Sequence, residues 1–416
     1  MASKQRSLCA AVVLTCILMT TIIPSAGADY LTQWSGNSPA LGVVVNSYPE
    51  FVAGESCVAP GSIVYCMGGL NGTAQPTDTT YAASLTPLGV GQWGRLGDYP
   101  TDIAGESCVS DSGYVYCIGG LEREASSSSA SDVVSASYYA PLTATGLGKW
   151  TRTTAYPFGV FDQSCTVSAG SIYCVGGIAS NFTGMSAVEF AQLSPSGISQ
   201  WNPATSYPLS VSAGSCGSYA GRIYCVGGLN GTSRAISSVY HARLTGGNLT
   251  WTRETSYPNP VAGHSCFVHY PGLYCVGGLN ATAYATRSVF FTYLNGTGLR
   301  WIPSTFYPID VQSQSCITHS SFVYCVGGYD GQSFLASVYY STIGASGGNS
   351  SVASIQSSTS NIQALPAGGP VPWLADYGWL IVGAGVAAAV LAASLASKRK
   401  FVPAQGFPSF GAGNDV

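Results

Sequence analysis

Apolar and polar residues alternate in short runs along most of the chain, each run too brief for a helix. The clearest stretch is residues 261–280, VAGHSCFVHYPGLYCVGGLN, in which two alternating runs flank Tyr270-Pro271 and end at Gly277-Gly278. Such a pattern predicts a β-hairpin. Versions of it occur six times, each with two cysteines nine positions apart: Cys57/Cys66, Cys108/Cys117, Cys165/Cys174, Cys216/Cys225, Cys266/Cys275 and Cys316/Cys325. First cysteines follow one another at intervals of 51, 57, 51, 50 and 50 residues, the longest step containing a Ser-rich insertion at 124–132.

Every unit follows one order: a strand ending in Ser-Cys, a turn, an apolar strand ending in Tyr-Cys, Gly-Gly, a variable loop, and a β-branched and aromatic strand. In five units a Trp follows (Trp93, Trp150, Trp201, Trp251, Trp301), then Tyr-Pro beginning at Tyr99, Tyr156, Tyr207, Tyr257 and Tyr307. Four short strands per roughly 50 residues, punctuated by Gly turns, predict propeller blades rather than a helical solenoid. The run of apolar strand, Gly-Gly, aromatic residue and Trp over residues 29–343 resembles the Kelch repeat. That resemblance implies an all-β, six-bladed propeller whose first strand in each blade is innermost. The cysteine pair in every unit departs from ordinary intracellular Kelch repeats. The sixth unit stops at residue 343 without a Trp strand, and the missing piece stands at the other end of the array, at Trp34 followed by Tyr48-Pro49. The expectation is that the N-terminal strand completes the last blade and removes two open sheet edges.

A two-residue turn midway between the cysteines sets them opposite each other as a non-hydrogen-bonded pair, with Cα atoms roughly 4.5 Å apart. That suits a disulfide, worth up to roughly 2.5 kcal/mol for a loop of about ten residues. Zinc is the rival, but the spacing is too long for the usual ligand pairs and the chain has only four histidines.

The ends read differently. Residues 1–28 carry Lys4 and Arg6, an apolar run and Ala-Gly-Ala, as a secretory signal does, with an uncleaved anchor as the alternative. Removing them takes Cys9 and Cys16 and leaves twelve of the fourteen cysteines, an even number suited to an oxidising exterior. Residues 344–372 are a Ser/Gly-rich stalk. Residues 373–397 form the expected transmembrane helix: the charge-free stretch 377–397 spans roughly 31 Å, ahead of Lys398-Arg399-Lys400 and a cytoplasmic tail, 398–416. Seven Asn-x-Ser/Thr sites, at Asn71, Asn181, Asn230, Asn248, Asn280, Asn295 and Asn349, lie between signal and span and are candidate glycosylation positions.

Composition narrows the function. Only 8% of the 416 residues are charged and the net charge is −3, so no basic face is available for nucleic acid. Zincin and phosphate-loop motifs are absent from the sequence, and no cofactor is implied. His269 and His319 stand three residues after their first cysteines, beside the turns, where solvated histidines are the expectation rather than a copper site. Two residues before each first cysteine lies a column of Glu55, Glu106, Gln163, Gly214, His264 and Gln314. With an innermost first strand these side chains ring the channel near one mouth, with Asp102, Asp162 and Asp310 on the same approach. Acids and amides grouped there are candidates to hold a cation or a sugar's hydroxyls, or else are solvated channel lining. The expectation is a single-pass type I surface protein that recognises an extracellular glycan or protein. The rival is an anchored carbohydrate-active enzyme, an oxidase or hydrolase at the channel mouth.

Overall fold

The structure, a computed structural model, describes residues 30–36, 46–122, 133–245, 248–294 and 298–344. The expected signal, most of the stalk, the membrane span, the tail, the insertion at 124–132 and the sequons Asn295 and Asn349 lie outside these residues. Among the described residues no helix is long and apolar enough to cross a membrane.

Six antiparallel sheets of four or five strands follow one another in chain order, and four short two-stranded ribbons accompany them among the described residues. In the second blade Ser107–Asp111 pairs with Tyr114–Ile118, which pairs with Ser137–Thr143, which carries the short outer strands Gly146–Leu147 and Thr151–Arg152. The other blades repeat this meander, their innermost strands being Ser56–Val58, Ser164–Ser168, Ser215–Tyr219, Ser265–His269 and Ser315–His319. Each innermost strand neighbours those of the blades before and after it, and the last lies beside the first, so the six surround one axis. In the first blade the inner hairpin stops early, with Val58 opposite Tyr65 as its last pair, because Pro60 has no N–H to extend the ladder. In the sixth blade Tyr30–Leu31 pairs with Gly344 and Ile343, and Ser35–Gly36 with Tyr340 and Tyr339.

All six cysteine pairs are bonded within their own blades: Cys57 to Cys66, Cys108 to Cys117, Cys165 to Cys174, Cys216 to Cys225, Cys266 to Cys275 and Cys316 to Cys325. Their Cα–Cα distances are 4.0–4.1 Å, shorter than the expected 4.5 Å. The spacing marks a non-hydrogen-bonded pair. In keeping with this, the first cysteine's N–H points away from its partner strand, and it donates to the next inner strand around the ring. Cys57 donates to Ser315 Oγ, Cys108 to Ser56, Cys165 to Ser107, Cys216 to Ser164, Cys266 to Ser215 and Cys316 to Ser265, at 2.9–3.1 Å. The Ser-Cys dipeptide therefore staples twice, the sulfur within a blade and the hydroxyl between blades. The second cysteines, Cys66, Cys117, Cys174, Cys225, Cys275 and Cys325, lie on the second strand and are all buried. All six join the hydrophobic clusters between blades alongside the aliphatic side chains. These residues, expected from the sequence to be disulfide partners, are core residues.

The Gly-Gly pair closes a second circuit. The N–H of its second residue donates to a carbonyl on the following blade: Gly69 to Ile103, Gly120 to Val160, Gly177 to Val211, Gly228 to Val261, Gly278 to Val311 and Gly328 to Val52, at 2.7–2.9 Å. The first glycine is required for space as well as for its positive φ. A Cβ on Gly176 (φ +67) would stand 2.2 Å from the Val211 carbonyl oxygen.

Between blades the core is aliphatic and aromatic, built from the second and third strands and a repeated edge-to-face pair. Trp34 meets Tyr307, Trp93 Tyr48, Trp150 Tyr99, Trp201 Tyr156, Trp251 Tyr207 and Trp301 Tyr257, with centroids 4.8–4.9 Å apart and planes at 71–86°. Five of these indoles also donate to the carbonyl two residues before that tyrosine, at 3.0–3.3 Å; Trp150 makes no such bond among the described residues.

Candidate functional site

As each chain segment enters its innermost strand it turns sharply at a residue in the left-handed region. The six are Gly54, Gly105, Asp162, Ala213, Gly263 and Ser313, with φ between 48 and 70°. Their amides form a closed circuit around the axis: Gly54 donates to Ser313, Ser313 to Gly263, Gly263 to Ala213, Ala213 to Asp162, Asp162 to Gly105 and Gly105 to Gly54, at 2.7–3.0 Å. The N–H and C=O of all six are satisfied within this girdle, so the neighbouring side chains are left to do any binding.

An axial cavity of about 200 Å³ lies against the girdle and takes lining from all six blades. The whole expected column is there: Glu55, Glu106, Gln163, Gly214, His264 and Gln314. Asp162 joins them, as do Gln312 and Ser313 from the approach segment, and Leu229 and Leu279, which lead into the loops of Asn230 and Asn280. Among the described residues no cysteine lines the cavity, so the bridges brace its wall from behind. Asp102 and Asp310 are not part of the lining. Asp102 is near Asp78, whose pKa it helps to raise, and Asp310 is exposed. His269 and His319 pair with Gly272 and Phe322 beside the inner-hairpin turns, at the other end of their strands.

The column side chains are buried, at 5–6% exposure. Gln163 Nε2 donates to the Ile118 carbonyl and Gln314 Nε2 to that of Val276, both at 2.7 Å, so each amide reaches back to the residue before the preceding blade's Gly-Gly. Glu106 and Glu55 occupy the same place: their Oε1 atoms lie against Gly68 and Gly327, where a Cβ would come within 2.8 Å. His264 rests likewise against Gly227. The carboxyl oxygens of Glu55 and Glu106, both His264 nitrogens, and Oε1 of Gln163, Gln312 and Gln314 make no hydrogen bond among the described residues.

Burial governs the electrostatics. It lifts Glu106 to about 8, against nearby backbone N–H and with Asp162 adding repulsion, and it lifts Asp162 to about 7. It drives Glu55 well above the carboxylate range, only partly opposed by backbone N–H groups, and lowers His264 to about 3. Among the described residues no lysine or arginine lines the cavity. Among them, too, one grouping brings metal-ligand atom types within 4.8 Å, His264 with Cys266 and Cys275. Both sulfurs are in the disulfide, so no thiolate is offered.

No protein-family model matches the chain, and no curated protein sequence matches it. A solved structure described as "Structure of YjhT" superposes with a TM-score of 0.59 at 14% identity, over 70% of this chain and 95% of that one. What the two share is a fold. It is a six-bladed β-propeller, here with a disulfide in every blade.

The sequence located the column by its fixed distance from the cysteines. Gln312, Ser313 and the girdle carried no comparable signal, because three of the six left-handed positions are occupied by Asp, Ala and Ser.

Proposed function

We propose that this chain is a recognition module of Kelch type, held outside the cell by a C-terminal membrane span above its Ser/Gly stalk, and that it takes an extracellular glycan or protein ligand at the axial mouth. The observation that carries this reading is the axial cavity itself: a rigid girdle with satisfied backbone, surrounded by buried polar atoms that have no partner among the described residues. Ring closure by the N-terminal strand belongs to the same proposal. It is supported by the pairing of Tyr30–Leu31 with the outer strand of the sixth blade and by the packing of Trp34 on Tyr307.

Glycosylation of the loops after Gly-Gly is part of the reading too. In Asn71, Asn181, Asn230 and Asn280 the side-chain oxygen is turned inward, accepting from the N–H and hydroxyl of the sequon threonine two residues on at 2.6–3.2 Å. That arrangement holds these asparagines in a fixed turn. Peptide mapping of the chain from its own host is expected to find glycan on these four; unmodified asparagine at all of them removes this element.

The test of the main reading is a screen of the full chain in detergent against glycans and purified surface proteins. A ligand whose binding is lost on Gln312→Ala supports the axial mouth, and a ligand unaffected by every cavity substitution places recognition elsewhere. One observation favours a second, enzymatic reading: Glu106 and Asp162 titrate near neutrality, in the range where acid–base groups work best. Turnover of a carbohydrate substrate abolished by Glu106→Gln would establish it.

A further inference from the structure

One of the six disulfides has a spare ligand beside it. His264 and Cys266 stand two residues apart at the entry to the fifth inner strand, so their side chains share one side of the chain. Cys266 is bonded to Cys275, directly opposite on the inner hairpin. A nitrogen of His264 and the two sulfurs lie within 4.8 Å of one another. The imidazole is buried, and its ring stacks on Tyr257 with centroids 6.1 Å apart and planes at 29°. Neither of its nitrogens has a hydrogen-bond partner among the described residues. Buried nitrogens without partners are uncommon in a folded chain and call for an explanation.

The other blades lack this arrangement. Where the fifth has His264 they have Glu55, Glu106, Gln163, Gly214 and Gln314. The glutamines commit Nε2 to backbone carbonyls, and Oε1 of each glutamate lies against a glycine of the preceding blade. Among the described residues no second trio of ligand atoms comes together.

While the bridge is closed its sulfurs carry no charge. Opened, they become two thiolates, and with the imidazole they make the donor set that suits zinc. Ligands at about 2.0–2.3 Å from a tetrahedral zinc stand roughly 3.5 Å from one another, so small side-chain rotations complete the site. The hairpin keeps the ligands in place when the bridge opens, because five consecutive residue pairs join its strands, from Ser265 opposite Val276 to His269 opposite Gly272. His264 also belongs to the axial lining, which gives the ion an approach.

We propose that His264, Cys266 and Cys275 form a redox-gated zinc site, closed while the disulfide stands and assembled when a thiol reduces it. A thiolate of the reductant attacks the half-buried sulfur, that of Cys266, and a second thiol resolves the mixed disulfide. Two electrons and two protons pass to the cysteines, and the reductant leaves as its own disulfide. Zinc then displaces the two thiol protons to solvent and takes the imidazole as its third ligand. The remaining bridges gain two thiolates and no imidazole on opening, so zinc holds the fifth open in preference to them. This site is separate from whatever the axial mouth recognises.

The experiment equilibrates the full chain in detergent in glutathione buffers of graded thiol-to-disulfide ratio, with and without zinc chloride. Acid quench, isotope-coded alkylation and peptide mapping then read each bridge. Because zinc binds the reduced form, it is expected to shift the midpoint for opening Cys266–Cys275 at least tenfold toward less reducing buffer, and that of the other five by less than threefold. Cobalt chloride in place of zinc is expected to give thiolate-to-cobalt charge-transfer absorption in the same samples. His264→Gln places there the residue of the third and sixth blades and is expected to fold, with circular dichroism as the check. It should abolish the selective shift and weaken cobalt binding tenfold or more. No zinc shift at the fifth bridge, a shift shared equally by all six, or a shift that survives His264→Gln would overturn the proposal. The other five bridges are internal controls, so the unsubstituted chain alone is able to refute it.

Discussion

Single residues in this ring are set by what the neighbouring blade offers, and Glu106 shows how. Its carboxyl titrates near 8 instead of near 4.5, because burial penalises the charged form. Between those values the folded chain holds a proton that the unfolded chain has released. Folding stability therefore falls as pH rises through that window and levels off above about 8, each unit of separation being worth about 1.4 kcal/mol. Glu106→Gln removes the titrating proton and puts there the amide that donates to a backbone carbonyl at Gln163 and Gln314. Thermal unfolding across pH is expected to show the variant more stable than the parent at pH 9 and little different at pH 4. His264 has the opposite sign: its value is lowered to about 3, so stability falls as pH drops from about 6.5 toward 3. His264→Gln is expected to flatten that acid limb in the same measurement. The place of both residues was legible in the sequence, since a strand fixes the side of every second residue and the cysteines fix the phase. Asp102 and Asp310 were assigned to the same approach by proximity in sequence and are not in the cavity lining. The intervening left-handed turns, at Gly105 and Ser313, take the chain around the girdle. Asp162, which sits on the turn itself, is the acid that reaches the cavity.

At the scale of the repeated element, the Gly-Gly pair is the joint between blades, and its two requirements can be separated. Gly170 and Gly176 belong to one blade and have nearly equal φ, +73° and +67°. Gly170 lies in the inner turn with nothing within 4 Å of an added Cβ, whereas a Cβ on Gly176 would collide with the Val211 carbonyl of the next blade. Gly170→Ala is expected to cost about 1–2 kcal/mol, the left-handed penalty alone. Gly176→Ala adds displacement of the interblade backbone and is expected to cost about 2–4 kcal/mol in denaturant unfolding. Equal costs would show that the collision is relieved without disturbing the joint. The recurrence of Gly-Gly was plain in the sequence and pointed to the fold. Its job of donating an N–H to the following blade was not, because that partner lies more than thirty residues away and nothing local marks it. The serine before each first cysteine is a similar case: its hydroxyl answers a backbone N–H about fifty residues off, while its sequence context speaks only for the hairpin.

For the whole molecule, the question is what joins the first blade to the sixth. The inner part of that seam does not involve residues 30–36. Gly54 donates to Ser313, Cys57 to Ser315 Oγ, Gly328 to Val52, and Val52 to Leu335, at 2.8–3.1 Å. The outer part depends on them: Tyr30–Leu31 and Ser35–Gly36 cover Val338–Gly344, Trp34 packs on Tyr307, and Thr305 Oγ1 donates to the Leu31 carbonyl. Under the ring closure proposed above, two kinds of contact are superimposed, a set of interblade circuits near the axis and a strand laid onto the last blade's rim. Deleting residues 30–36 should leave the inner circuits intact while exposing a seven-residue edge whose N–H and C=O groups seek another chain. Non-reducing peptide mapping of the truncated chain is expected to recover the six within-blade disulfides, since Cys66, Cys117, Cys174, Cys225, Cys275 and Cys325 are buried by the inner blade. Light scattering is expected to show association through the uncovered edge, and calorimetry a lower unfolding temperature. Trp34→Ala, which keeps the strand and loses the indole, should remain unassociated and cost about 3–5 kcal/mol as a buried aromatic truncation does. Scrambled bridges in the truncated chain would mean instead that the rim strand is needed to form the ring at all, and that the inner circuits follow from closure rather than supply it.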